Sequence, residues 1–131
     1  MKIPPPVAEL IGIEVVSFGE GETTMKLEAE ERHSNPMGTI HGGILCDLAD
    51  AAMGMAFFGT LEEGETFTTL ELKMNYVRPF WTGTLLAHGN VISRGKTVGL
   101  TECRIVDDKY RLIAHATSTV MALRGEMAQG R

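Results

Sequence analysis

Hydrophobic and polar positions alternate with a period of two over most of this chain, and the alternation breaks down over one long central stretch. From Thr23 to Glu30, Met25, Leu27 and Ala29 fall on one side and Thr24, Lys26, Glu28 and Glu30 on the other. That is the pattern of a strand with one dry face and one wet face. Ile13 to Phe18 is a second β-like run, and Gly19-Glu20-Gly21-Glu22 between the two has the composition of a hairpin turn. Phe67 to Val77 sets Leu70, Leu72, Met74 and Tyr76 against Thr69, Glu71, Lys73 and Asn75, and stops at Arg78-Pro79. Leu85 to Ser93, Thr97 to Val106 and Tyr110 to Leu123 follow as strands, divided by Trp81-Thr82-Gly83, Arg94-Gly95-Lys96 and Asp107-Asp108-Lys109. Their succession predicts an antiparallel meander.

The exception to the alternation is Gly42 to Phe58, whose length and alanine, leucine and methionine content predict a helix. It has no polar stripe, only Asp47 and Asp50, so it is expected to be enclosed. Pro6 to Gly12 predicts a short helix, with proline in the first turn and glycine as its stop. One long helix among regularly spaced strands leaves an α+β layer pair, the sheet wrapping its apolar face around the helix. Open edge strands invite pairing with another chain, which predicts a dimer joined edge to edge.

Composition narrows the classes. A chain of 131 residues, 44% hydrophobic and 22% charged, is expected to fold as one domain, with 1–6 and 125–131 loosely ordered. A net charge of -5 argues against nucleic-acid binding through a general basic surface. The most apolar stretch, Ile44 to Phe58, is interrupted by Asp47, Asp50 and Gly54 and falls short of the ~20 residues that span a bilayer, so no membrane partner is expected. Nothing at Met1-Lys2-Ile3-Pro4-Pro5-Pro6 has the form of an export signal, and the expected location is the cytoplasm. Cys46 and Cys103, far apart and outside any CxxC pattern, are read as reduced core residues.

Candidate chemistry gathers in Asn35-Pro36-Met37-Gly38-Thr39-Ile40-His41-Gly42-Gly43, which runs into the helix that carries Asp50. A carboxylate in an apolar helix needs a reason: a functional site, or a hydrogen-bond partner or wet subunit seam. Asp47, nearer the helix start, is favoured there by the macrodipole. Gly42-Gly43 permits close approach of a ligand, and a free first-turn N–H can hold an oxyanion; ordinary turn geometry explains them equally well. His41 reads as a general base, a donor to substrate or a loop anchor, and Asn35 before Pro36 as a turn former. No GxSxG, HExxH, GxxxxGK[ST] or GxGxxG occurs, which leaves a serine triad, a metal site and the usual nucleotide loops without support. Arg94-Gly95-Lys96 places two cations in one turn, a docking point for a phosphate or a solvated pair.

Asn35-x-x-Gly38-x-x-His41-Gly42-Gly43 followed by Leu48-Ala49-Asp50-x-x-x-Gly54, with Asn75-Tyr76-Val77-Arg78-Pro79 closing a strand and Arg94-Gly95-Lys96-Thr97 opening another, resembles the hotdog-fold acyl-CoA thioesterases of the phenylacetate-degradation and 4-hydroxybenzoyl-CoA type. The resemblance implies a hotdog fold and active sites at the seam between subunits of a homodimer, with that dimer or a homotetramer built from two of them as the open alternatives for the assembly. It implies Asp50 as general base or nucleophile, with Asp47 a competitor for that role, and a free Gly43 N–H polarising the thioester carbonyl. Asn35 and His41 would line the site, Gly42 would contact substrate, and Thr69 would position water from the partner subunit. Arg78, Arg94, Gly95 and Lys96 would lie near the nucleotide of coenzyme A, and no cofactor or metal is implied. A hotdog hydratase or dehydratase and a non-catalytic acyl-CoA sensor are the alternatives. The acyl group stays open, with Met53, Met55, Phe57, Phe58, Tyr76, Phe80 and Trp81 as candidate pocket residues.

Overall fold

A computed structural model describes residues 4–130, so the expectations for 1–3 and 131 lie outside it. The elements are α1 (Pro6–Ile11), β1 (Ile13–Gly19), β2 (Glu22–Ala29), α2 (Gly42–Phe58), β3 (Thr66–Tyr76), β4 (Gly83–Arg94), β5 (Val98–Val106) and β6 (Leu112–Leu123). All six strands form one antiparallel sheet in the order β1-β2-β4-β5-β6-β3. The meander expected from the sequence holds only for β4-β5-β6. β3 crosses to the far edge and pairs with β6, because alternation marks where a strand lies but not which strand it neighbours. Residues 125–128 form a short 3-10 turn at the C-terminal end.

The concave face of the sheet holds α2. Leu48, Ala49, Ala52, Met53 and Phe57 of the helix are fully buried, most of them in one core with Leu27, Leu85, Ala87, Cys103 and Ala114. Small residues bring the layers together: a Cβ on Gly89 of β4 would lie 2.5 Å from the Ala52 carbonyl oxygen, so only glycine allows the helix backbone this close. One side of α2 is left uncovered, which corrects the expectation of a wholly enclosed helix. Gly43, Asp47 and Asp50, spaced as one helical stripe, are exposed.

A register shift in β3 decides the geometry of the site. Thr69 opposes Val120 and Glu71 opposes Thr119, leaving Leu70 as an extra residue. Directly opposed residues share a face, and Val120 is buried. The bulge therefore turns Thr69 toward α2 and pushes Leu70 outward to 53% exposure, the reverse of what strict alternation predicts for both.

Candidate active site

Asp50 and Thr69 are brought together by that bulge, and the Thr69 hydroxyl donates to Asp50 Oδ1 at 3.0 Å. The two residues belong to the same chain, so within one chain Thr69 already meets Asp50, whereas the resemblance implies a water-positioning Thr69 on the partner subunit. Both line a cleft of about 720 Å³ between α1 and β1 on one side and α2 and β3 on the other. Its walls are mainly apolar, from Val7, Ala8, Ile13, Met25, Met55 and Phe67 among others. Asp50 is exposed on the uncovered side of α2, yet desolvation by the cleft wall raises its pKa above the ordinary carboxylate value. The Thr69 hydrogen bond opposes that rise, and the charge of Asp47, which lines the same cleft, adds to it.

A base that must be ionised loses activity as pH falls through its pKa. Because Asp47 holds the Asp50 pKa up, Asp47→Asn is expected to move the acid limb of the kcat/KM profile to lower pH, with little change in the plateau rate. A rate–pH profile recorded across the acid range would show it. An unmoved limb would mean that Asp47 and Asp50 do not interact.

The start of α2 is organised differently from the sequence-based expectation. The Gly43 N–H donates to His41 Nδ1 at 2.9 Å, so His41 is the N-cap and the amide expected to be free is occupied in the lone chain. The physical reason is the usual one, that an orphan first-turn donor takes the nearest acceptor. Asn35 also turns inward on its own loop: Oδ1 accepts from the backbone N–H of Met37 at 3.0 Å and of Thr39 at 3.2 Å, and Nδ2 donates to Thr39 Oγ1 at 2.8 Å. Gly38, at φ 96°, closes that loop. Gly43 and Asp50 are seven residues apart on one helix, roughly 10 Å along its axis, so one chain does not bring both to one carbonyl group.

Tyr76, expected among acyl-pocket residues, instead donates its hydroxyl to the Gly42 carbonyl at 3.2 Å. A Cβ at Gly42 would meet that hydroxyl at 2.8 Å, so a larger residue there would displace the Tyr76 side chain. Cys46 Sγ lies 3.3 Å from the same oxygen and is half-buried, so of the two cysteines only Cys103 is a core residue. The neighbouring thiol and partial burial push the phenol up to about 12, leaving it a donor at neutral pH. Tyr76 thus fastens the end of β3 to the first turn of α2. Of the other expected pocket residues only Met55 lines the cleft; Met53 and Phe57 are core, and Trp81 is 58% exposed. Phe67, not foreseen, lines it, and the bulge explains why alternation did not single it out.

The expected phosphate turn is largely committed to the fold. The Arg94 guanidinium lies 4.7 Å over the Phe57 ring, donates to Thr60 Oγ1 at 2.9 Å and pairs with Glu65 at 3.6 Å, so it is not a free cation. Gly95 serves the turn itself, since a Cβ there would sit 2.6 Å from the Val98 carbonyl. Lys96 and Arg78 are exposed and make no ion pair among the described residues. His33, His41, His88 and His115 each have a separate hydrogen-bond partner, and among the described residues no three His, Cys, Asp or Glu side chains converge as metal ligands would.

A helix wrapped in one antiparallel sheet, with a carboxylate at the mouth of an apolar cleft, is the hotdog arrangement of thioester hydrolases. The sequence profile of the Thioesterase superfamily matches residues 37–114, and the chain belongs to that superfamily. It is 30% identical over 112 residues to a 1,4-dihydroxy-2-naphthoyl-CoA hydrolase of Listeria monocytogenes, covering 86% of this chain and 91% of the relative. Among solved structures it is similar to a thioesterase of Haemophilus influenzae, with TM-score 0.87, 26% identity and coverage of 92% and 85%. It is also similar to the E. coli PaaI protein from the phenylacetic acid degradation operon, with TM-score 0.87, 25% identity and coverage of 93% and 87%. The chain is therefore a thioester hydrolase.

Proposed function

We propose that this thioesterase hydrolyses acyl-CoA to free acid and coenzyme A, with Asp50 as general base. The observation that carries the reading is the Thr69 to Asp50 hydrogen bond at the mouth of the cleft. It fixes one carboxylate oxygen and leaves the other able to take a proton from a water molecule, which Thr69 Oγ1 helps to hold. The same free oxygen would serve equally in direct attack on the thioester carbon to form an anhydride. Transfer of the acyl group to water, with the proton passing to the departing sulfur, completes the balance. Among the described residues Asp50 is bonded by Thr69 and by no histidine, which favours hydrolysis over a hydratase reaction. Turnover separates it from a sensor.

The carbonyl-binding end would come from a second copy. The stripe Gly43, Asp47 and Asp50 on α2 and the open edge of β3 are both uncovered. Two α2 helices packed antiparallel and crossing near Asp47 would put Asp50 of each beside Gly43 of the other, within reach of one thioester. A homodimer joined along β3 fits that requirement, and two such dimers would make the homotetramer. His41 Nδ1 would yield the Gly43 N–H to the thioester oxygen, since an oxygen gaining negative charge is a stronger acceptor than a neutral imidazole nitrogen. Asn35 and Gly42 would act by shaping that turn, and Lys96 and Arg78 are the cations available to phosphate. A panel of acyl-CoAs assayed for free thiol tests the reading, with steady turnover of at least one expected. Stoichiometric binding without turnover would make the chain a sensor instead.

A further inference from the structure

We propose, resting on the acyl-CoA reading of Asp50, that the cleft beside it selects an uncharged apolar acyl group and that Glu9 of α1 is a specificity determinant against acyl groups ending in a carboxylate. The cleft extends from the Asp50 and Thr69 pair into the space beneath α1. Its lining includes four carboxylates, Glu9, Glu14, Asp47 and Asp50, and no lysine, arginine or histidine among the described residues. A hydrocarbon or aromatic acyl group finds apolar walls there. A terminal carboxylate would surrender its hydration to those walls while facing charges of its own sign, and both effects oppose binding.

The wall that carries Glu9 is held in place. Pro5, Ala8, Glu9 and Gly12 recur at helical spacing and all line the cleft. Arg32 donates from Nη1 to the Leu10 carbonyl at 3.0 Å and from Nη2 to the Ile11 carbonyl at 3.1 Å, and His33 Nε2 lies 2.8 Å from the Ile11 carbonyl. Gly12, at φ 97°, then turns the chain into β1. The Glu14 charge is partly answered by Lys26 Nζ at 3.7 Å, whereas Glu9 has no ion pair among the described residues. Apart from Asp50, the cleft-lining carboxylates without an ion pair among the described residues are thus Asp47, beside Asp50 on α2, and Glu9, which stands on the opposite, α1 wall.

Hexanoyl-CoA and adipoyl-CoA share a six-carbon chain and differ at its end by a carboxylate, which makes them the probes. The intact chain is expected to favour hexanoyl-CoA by about tenfold or more in kcat/KM. Glu9→Lys is expected to narrow that ratio by roughly threefold or more, most strongly at low salt, and Glu9→Gln by less. Equal hydrolysis of the two thioesters, or a ratio that Glu9→Lys and Glu9→Gln both leave unchanged, overturns the selection while leaving the thioesterase reading intact. Failure to hydrolyse any acyl-CoA removes both.

Discussion

Replacing Asp50 with asparagine is expected to lower kcat for a turned-over acyl-CoA by about 10²–10⁴-fold, the usual contribution of a positioned general base. The amide keeps the shape of the side chain and an oxygen that accepts from Thr69, so the Thr69 contact survives and the lost element is basicity. Stability should move the other way. The folded-state pKa of Asp50 is raised, chiefly by loss of water in the cleft. A carboxyl group with a raised pKa helps folding at pH below its unfolded value, and that help is lost as pH rises through the folded value. At neutral pH the ionised group is therefore a burden on the fold, and the asparagine variant is expected to melt at the same temperature or higher. Thermal denaturation beside the thiol-release assay tests both halves. Full activity in Asp50→Asn would sink the mechanism, and a fall in activity accompanied by a fall in melting temperature would assign Asp50 to structure.

Mixing two inactive variants should restore activity. Gly43→Pro removes the N–H that the carbonyl-binding role needs, at a first-turn position where proline is compatible with a helix. Alone it is expected to cost about 10²–10³-fold in kcat. If each site draws Asp50 from one copy and Gly43 from another, a heterodimer of Asp50→Asn with Gly43→Pro carries one intact site and one doubly damaged site. Random reassociation after joint unfolding would then recover about a quarter of the native activity. The roughly 10 Å between the two positions on α2 is the reason for expecting this, since one copy cannot supply both groups to a single carbonyl. A mixture no more active than the sum of its parts would show that each chain works by itself, and that His41 remains the acceptor of the Gly43 amide.

Much of the fold was legible because strand and helix periods are local properties. Alternation at Met25, Leu27 and Ala29 predicts β2, and the unstriped run from Gly42 to Phe58 predicts α2 with the bounds observed. Asp50 stood out because a carboxylate in an apolar helix is costly without a partner. The family resemblance named Thr69, but alternation placed it on the wet face, and its contact with Asp50 within one chain was not legible. Gly43, His41 and Asn35 were marked out by the family resemblance, while their occupied hydrogen bonds are matters of three-dimensional proximity. The same holds for Arg94, whose charge is visible in the sequence and whose engagement by Phe57, Thr60 and Glu65 is not.

The sequence by itself determined which segments are strands and helix, that they form an α+β layer pair, and that two acids, Asp47 and Asp50, sit on the helix, since periodicity and composition act within a few residues of themselves. Tertiary structure alone decided that β3 lies at the far edge, that its bulge turns Thr69 onto Asp50, and that an apolar cleft opens beside them. Those features depend on pairing and packing between residues distant along the chain, where one extra residue in a strand exchanges its two faces.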